Sequence, residues 1–339
     1  MITRDNQCAT IREVAERADV SIATVSHVLN RTRFVSRETQ QRVLKAIREL
    51  NYRPNITAKS LRRRKTNTIG VIMCDLENPF MIEMLRGIES VLNQNDFDML
   101  VTNTNYERPR EQGALEMFYG KQVDGTILIP GRGGDVDLQF LLDFGIPIVV
   151  LDKRVKEEVD TVEVTNRQGA REMVQHLRFL GHKRIGIIAG PQDTSTGKER
   201  LEGACEALKE ANIPREDILV FEGNFARNSG EEAVKYFLSH PSPPSVIFAC
   251  NYSMGIGAFE TMKEMGLRIP QDIGFALFDD LPWFAHLTPP LTAVFQPAFE
   301  VGKVGAELLM ESLRKKRKTP KRVVLPTLLR IRCSAGDCM

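Results

Sequence analysis

The sequence predicts two architectures in one chain: a small all-α helix-turn-helix head, then an α/β body of two doubly wound parallel-sheet subdomains. Charge supplies the first observation. Residues 1 to 68 carry 15 Lys and Arg against 6 Asp and Glu, a balance of +9, while the rest carry 31 against 38, or −7, in a chain whose total is only +2. A small basic head on a large acidic body is the asymmetry expected of a nucleic-acid reader joined to something else. The second observation is a run of three short amphipathic segments confined to that head. The third is a strand-helix alternation that begins at Ile69 and starts again near residue 184.

At 339 residues, and with roughly 100–200 residues per domain, the chain has room for two or three domains. Its 42% hydrophobic and 27% charged content is ordinary for a globular protein, which excludes disorder, collagen and a disulfide scaffold. The segment Met1 to Asn6 lacks a signal-peptide core, and the longest apolar runs, such as Ile146 to Leu151, fall short of the ~18 residues of a membrane span. Cytoplasmic residence with no membrane partner is therefore expected. Cys8, Cys74, Cys205, Cys250, Cys333 and Cys338 have no metal-ligand spacing, so reduced thiols are expected.

The first helix of the head starts at Thr10. Thr10-Ile11-Arg12-Glu13 has the capping-box form, in which the hydroxyl and the carboxylate satisfy each other's orphaned backbone donors. Ile11, Val14, Ala15 and Ala18 then repeat at helical spacing until Asp19-Val20-Ser21 interrupts them. Ser21 caps a second helix with a buried stripe of Val25, Val28 and Leu29. Its N-terminal and outer surface keeps Ile22, Ala23, Thr24, Ser26 and His27. Ser36 caps a third helix, with Val43, Leu44, Ile47 and Leu50 facing inward. A unit of this kind lays its second helix in the DNA major groove.

The run from Ala9 to Asn30, ATIREVAERADVSIATVSHVLN, resembles the DNA-binding head of the lactose/galactose-repressor (LacI/GalR) family. Asn51-Tyr52-Arg53-Pro54-Asn55, Ala58-Lys59-Ser60-Leu61 and Thr68-Ile69-Gly70-Val71-Ile72 resemble that family's hinge and the entry to its ligand domain. The resemblance therefore spans essentially the whole chain. It implies a helix-turn-helix domain over 1–55 and a hinge over 56–67. One effector subdomain is then expected over 68–165 and 297–323, and a second over 166–296 and 324–339.

By the same resemblance, base specification falls to Ile22, Ala23 and His27. The first two offer only apolar contact, for instance to a thymine methyl, so polar readout concentrates on His27, which can donate or accept at a purine edge. Thr10, Ser21, Thr24, Ser26 and Asn30 are the expected phosphate contacts, which fix register without carrying sequence information. Asp19 stands where the family usually has Gly, at a turn that favours φ > 0, and Asp tolerates that conformation at some cost. In the hinge, Ala58 and Leu61 lie one helical turn apart and give a short helix one apolar face, flanked by Lys59 and Arg62. The resemblance makes this a segment that becomes helical on operator DNA, two copies pairing in the minor groove with Leu61 wedged into the central base step. Unstacking that step costs about a few kcal/mol, recovered from contacts with the bent duplex.

In the body, Ile69 to Met73, Met99 to Thr102, Thr126 to Ile129 and Ile146 to Leu151 read as strands buried on both sides. Met81, Met84, Leu85, Ile88, Val91 and Leu92 trace one helix face, and Ala114, Leu115 and Phe118 another. Arg184-Ile185-Gly186-Ile187-Ile188 echoes Thr68 to Ile72, and strands near Ile218, Val246 and Ile273 follow. Ligands of doubly wound folds bind beyond the carboxyl ends of the strands. Here those ends carry Asp75 to Phe80, Asn103, Asp152, Gly190 to Thr196, Asn224, Phe225, Asn251, Phe278 and Asp279.

The resemblance makes this set a periplasmic-binding-protein-like effector cleft. Arg200 and Asp279 then anchor a small polar ligand, Thr196, Phe225 and Asn251 lie beside them, and Phe80 and Asp152 face them. Trp283 follows the Asp279 loop, either at the mouth or in a hydrophobic lid. Thr165-Asn166 stands where the family usually shows Asp-Asn, and Tyr252 where an acidic residue is common, so the effector chemistry is expected to differ from that of known members.

Signatures of catalysis are scarce. Gly131-Arg132-Gly133-Gly134 lacks the dinucleotide spacing, no phosphate-binding loop ends in Gly-Lys-Ser/Thr, and His27, His176, His182, His240 and His286 are dispersed. No catalytic residue, metal or cofactor is expected. The expected function is a homodimeric, sequence-specific transcriptional regulator, a repressor by resemblance. It would bind a palindromic operator under allosteric control by a sugar-like or other polar metabolite. The alternative is an intracellular small-molecule-binding protein or enzyme on the same two-subdomain scaffold.

Overall fold

A computed structural model of the chain describes residues 9–30, 32–53, 65–131, 136–214, 217–315 and 319–336. They divide into two compact units, residues 1–66 and 67–339. In the first, α1 (Ile11–Ala18), α2 (Ile22–Asn30) and α3 (Arg37–Glu49) close around Val14, Val25, Val28 and Val43. The capping box is formed: Thr10 N–H donates to Glu13 Oε2 at 2.5 Å, and Glu13 N–H to Thr10 Oγ1 at 3.3 Å. Asp19 ends α1 in the left-handed region, at φ 52°.

One inward assignment is corrected. Leu44 is 47% exposed, because the buried stripe of α3 runs through Val43, Ala46, Ile47 and Leu50. Neighbouring helical residues are about 100° apart around the axis, so Leu44 is turned away from a stripe that begins at Val43.

The second unit contains two six-stranded sheets. In chain order its elements are β1 (Thr68–Met73), α4 (Pro79–Gln94), β2 (Asp98–Asn103), α5 (Arg108–Gly120), β3 (Gly125–Leu128), α6 (Gln139–Asp143), β4 (Ile148–Leu151) and β5 (Asp160–Val164). Then come α7 (Asn166–Phe179), β6 (Ile185–Ala189), α8 (Ser195–Glu210), β7 (Ile218–Glu222), α9 (Arg227–Ser239), β8 (Val246–Ala249), α10 (Tyr252–Glu264) and β9 (Gly274–Phe278). The last are β10 (Thr292–Phe295), α11 (Ala298–Arg314), β11 (Arg322–Leu325) and β12 (Leu328–Arg330). The sheets run β11-β5-β4-β3-β1-β2 and β12-β10-β9-β8-β6-β7, parallel throughout except for the β10–β12 pair.

Alternation along each strand feeds the two faces of its sheet. Ile69, Val71 and Met73 pack under α4 and α11, while Ile72 packs against Phe118 of α5. In the second sheet Ile185, Ile187 and Ala189 face α7 and α8, and Ile188 faces α9 and α10. At Gly302 an added Cβ would lie 1.9 Å from the Met84 carbonyl oxygen, so glycine is what lets α11 lie directly on α4.

Strand β5 escapes hydrophobic pattern reading because two carboxylates lie within it. Asp160 accepts the Lys321 N–H at 2.7 Å, and buried Glu163 pairs with Arg322 at 2.8 Å. The chain crosses between sheets after β5, after β10 and between β11 and β12. All of β11 belongs to the first sheet, so that last crossing comes two residues past the break expected after 323. Cys74, Cys205 and Cys250 are free thiols, but Cys333 is disulfide-bonded, which corrects the expectation that every thiol is reduced. Among the described residues no helix is long and apolar enough to cross a membrane.

Candidate functional site

On the head, α2 is capped by Ser21, whose Oγ accepts the Thr24 N–H at 3.1 Å and lies 2.9 Å from Thr24 Oγ1. Ile22 and Ala23 are exposed at its first turn, and Thr24, Ser26, His27 and Asn30 are half-exposed. His27 Nδ1 is 2.8 Å from Thr32 Oγ1. Asn30 Nδ2 donates to the Ser26 carbonyl at 2.8 Å. The hydroxyl of Thr10 is engaged in the capping box rather than pointing free. Ala58, Lys59, Leu61 and Arg62 lie outside the described residues.

In the body, the loops at the carboxyl ends of the strands converge from both sheets. All seven residues expected in the cleft, Phe80, Asp152, Thr196, Arg200, Phe225, Asn251 and Asp279, line a single cavity of about 20 Å³. Asp152, Phe225 and Asp279 adopt φ of 68°, 66° and 78°. Side chains rarely accept that region, and its concentration at one place is typical of binding sites. Gly190 makes room for the Phe225 ring, since a Cβ there would lie 2.3 Å from it.

Arg200 is fixed on three sides. Its Nε donates to Asn166 Oδ1 at 2.8 Å, Nη1 to the Cys250 carbonyl at 2.8 Å and Nη2 to Gln296 Oε1 at 3.4 Å, while the guanidinium lies 3.8 Å over the Phe278 ring. Asp279 accepts the Tyr252 N–H at 2.8 Å and a short bond from Gln296 Nε2. Burial raises the pKa of Asp279, against the opposing pull of Arg200 and these donors. Asn251 caps α10 through the Met254 N–H at 3.1 Å.

Five further residues line the cavity: Asn78, which falls in the expected strand-end stretch Asp75 to Phe80, and Met81, Tyr106, Lys153 and Gln296, which were not anticipated. Lys153 matters most. Its ammonium donates to the Pro130 carbonyl at 2.7 Å, lies 3.6 Å from Asp152 Oδ2, and is 5.9 and 5.6 Å from the ring centroids of Tyr106 and Phe225. Burial works to lower its pKa, but Cys74, Asp152 and Glu111 outweigh that and hold it raised, so the cleft contains a fixed cation. Adjacency to Asp152 was the available signal for Lys153, and the end of the unread strand β10 was the signal for Gln296.

Two buried polar atoms in this wall have no partner among the described residues, Asp152 Oδ1 and Thr196 Oγ1. One is an acceptor and the other a hydroxyl, a pair suited to ligand hydroxyl groups, since buried polar atoms ordinarily find partners. Trp283 does not line this cavity. It packs edge-on against Phe284 at 4.5 Å, which favours the hydrophobic-lid alternative. Among the described residues no cluster of His, Cys, Asp or Glu could hold a metal ion.

Two family models match the chain. Residues 10–55 fit the bacterial regulatory proteins of the lacI family, and residues 66–333 fit the periplasmic binding proteins and sugar binding domain of the LacI family. The ribose operon repressor of Haemophilus influenzae is 34% identical over 321 residues, 94% of this chain and 96% of the relative. The transcriptional repressor PurR of Aliivibrio salmonicida is 35% identical over 313 residues, 91% of this chain and 93% of the relative. Among solved structures, the Lac repressor dimer bound to operator and the anti-inducer ONPF matches with a TM-score of 0.85 at 26% identity, over 98% of this chain and 100% of that one. The regulator CelR in complex with cellobiose matches with a TM-score of 0.72 at 32% identity, over 96% and 99%.

Proposed function

The chain belongs to the LacI family of bacterial regulatory proteins, and from that premise we propose that it is a cytoplasmic transcriptional repressor. It binds a palindromic operator as a homodimer and answers to a small, sugar-like polar effector. The observation that carries the effector half is the convergence of seven strand-end and helix residues on one buried cavity that holds two unpartnered polar atoms. Support for the DNA half comes from the capped helix α2 with its exposed first turn, and from the match along nearly the whole chain to a ribose operon repressor and to the Lac repressor dimer bound to operator.

In this reading Ile22, Ala23 and His27 meet base edges. Thr10, Ser21, Thr24, Ser26 and Asn30 meet phosphates. Ala58, Lys59, Leu61 and Arg62 form the hinge contact, with Leu61 as the wedge. The effector, held by Asp152, Thr196, Arg200, Asn251 and Asp279 between the Phe80 and Phe225 rings, sets the angle between the two subdomains. It shifts DNA affinity only by its differential binding to the two conformations. The regulator fits these residues without any catalytic step.

The experiment is operator selection with the full-length protein, followed by binding at about 0.15 M salt, where non-specific phosphate attraction is largely screened. A two-fold symmetric consensus bound far more tightly than a scrambled duplex is the expected result. Equal affinity for both would sink the reading.

A further inference from the structure

We infer that Arg154 is a positioning residue for the two subdomains, a latch that holds the empty cleft narrow and must let go for an effector to enter. The inference rests on the effector-controlled reading proposed above. The cavity enclosed by the cleft residues measures about 20 Å³, little more than the roughly 10–15 Å³ that a single water needs. A small molecule is held only after the two walls part, so a contact that joins the walls outside the cavity opposes its binding.

Arg154 makes such a contact through both its backbone and its side chain. It lies in the loop after β4, on the wall of the first sheet, two residues beyond Asp152. Its backbone N–H donates to Ser195 Oγ at 3.0 Å, and its guanidinium is bonded to the Glu199 carboxylate. Both acceptors stand at the start of α8 in the second subdomain, Ser195 directly before Thr196 and Glu199 directly before Arg200. The latch therefore joins the same two segments that carry effector-cleft groups. Yet neither Arg154 nor Glu199 lines the cavity itself. They line a separate groove with Thr165, Arg167 and Arg322, so they act on the walls rather than on the ligand.

Each ion of the latch also has a second partner on its own side. Arg154 Nε lies 3.7 Å from Oε2 of Glu163 on β5, a buried carboxylate already paired with Arg322. Glu199 lies in the field of Arg167 on α7. Parting the walls thus exchanges a pair between subdomains for pairs within them. No buried charge is orphaned, which is the event that makes breaking an ion pair costly. A contact of this kind is weak enough to yield to a ligand and strong enough to bias two conformations.

The test is hydroxyl-radical footprinting of the full-length protein, with neither operator nor effector present. It is read at Met81 and Phe225, buried residues that face the cavity from opposite walls. Arg154→Met and Glu199→Gln should each raise oxidation at both residues about threefold to fivefold, the range expected for a partly exposed ion pair. The double variant should go no further than either single one. Arg154→Lys keeps the charge and should stay within about twofold of the parent. Phe118 and Phe237, in the cores of the two subdomains, should not change. No rise at Met81 and Phe225, or a rise shared with Phe118 and Phe237, overturns the latch. Since DNA takes no part in the footprint, a failed latch leaves the regulatory reading standing, and a failed operator selection leaves the latch standing.

Discussion

The hydroxyls of Thr165 and Thr327 lie 2.9 Å apart, and the same Thr165 oxygen accepts the Thr327 backbone N–H at 2.9 Å. These residues stand on two of the three segments that pass between the sheets, so the bond ties neighbouring crossovers together. It also accounts for a departure from the family pattern: Thr165 makes no side-chain cap on α7 and is spent on the crossover instead. Thr165→Ala leaves a partly buried N–H without its acceptor and should lower unfolding free energy by about 1–2 kcal/mol in urea titrations. Thr165→Asp keeps an acceptor and should cost less. A larger loss for Asp than for Ala would contradict this account.

Thr196 separates binding from stability. Its hydroxyl is buried with no partner among the described residues, so Thr196→Val removes a polar group that gains nothing from folding. Thermal unfolding should be unchanged or slightly higher, while effector affinity falls by about fivefold to tenfold. A parallel loss of stability and binding would instead make Thr196 a structural residue.

The cleft was largely legible because its residues follow strand ends, and a parallel sheet puts all such ends on one side. Asp152, Phe225, Asn251 and Asp279 each come directly or nearly directly after an apolar run. Tyr106, Lys153 and Gln296 were missed for distinct reasons. Lys153 reads as a surface residue until Asp152, Glu111 and the Pro130 carbonyl are seen around it. Tyr106 lies three residues beyond its strand, in a left-handed turn that periodicity does not reveal. Gln296 directly follows β10, which was not read as a strand. Strand β5 was lost to its own buried carboxylates, and Leu44 was placed in a stripe whose fourth member is the smaller Ala46.

Glu111 should impose a pH dependence. Its Oε2 accepts the Gly131 N–H at 2.9 Å, its Oε1 has no partner among the described residues, and burial raises its pKa above the ordinary 4.5. A carboxyl whose folded pKa is raised binds its proton more tightly in the native state, so its contribution is fully present below the unfolded value. It is lost as pH climbs through the folded value. Glu111→Gln keeps an acceptor for Gly131 and removes the buried charge. Relative to the variant, the parent protein should lose stability as pH rises from about 4.5, and the two curves should run parallel at higher pH. Parallel curves across the whole range would show that Glu111 titrates normally.

Arg200 is the opposite of Thr196, because protein groups already use it. Arg200→Met strips donors from Asn166, Cys250 and Gln296 and leaves buried Asp279 without its cation. Leaving three buried acceptors without their donor, and a buried carboxylate without the nearby positive charge, costs about 3–5 kcal/mol, to be read from urea midpoints at unchanged slope. Operator binding should lose its response to effector in the same variant. A cost under about 1 kcal/mol would mean that the guanidinium is held for the ligand alone.

On the head, the contact between His27 and Thr32 holds the ring that the proposed function assigns to base reading. With Nδ1 held 2.8 Å from Thr32 Oγ1, Nε2 is the remaining ring nitrogen, a donor or an acceptor according to the tautomer. His27→Ala should cost about 1–3 kcal/mol at one base pair of each half-site and flatten preference there. Thr32→Val keeps the imidazole but frees its rotation and tautomer, so it should reduce discrimination at that same base pair with a smaller loss of total affinity. Ser26→Ala touches no base edge in this arrangement and should weaken all operators evenly. Operators mutated one base pair at a time and titrated against the three variants separate these outcomes. A Ser26→Ala effect confined to a single base pair, or a His27→Ala effect spread over all of them, would reverse the assignment of reader and clamp.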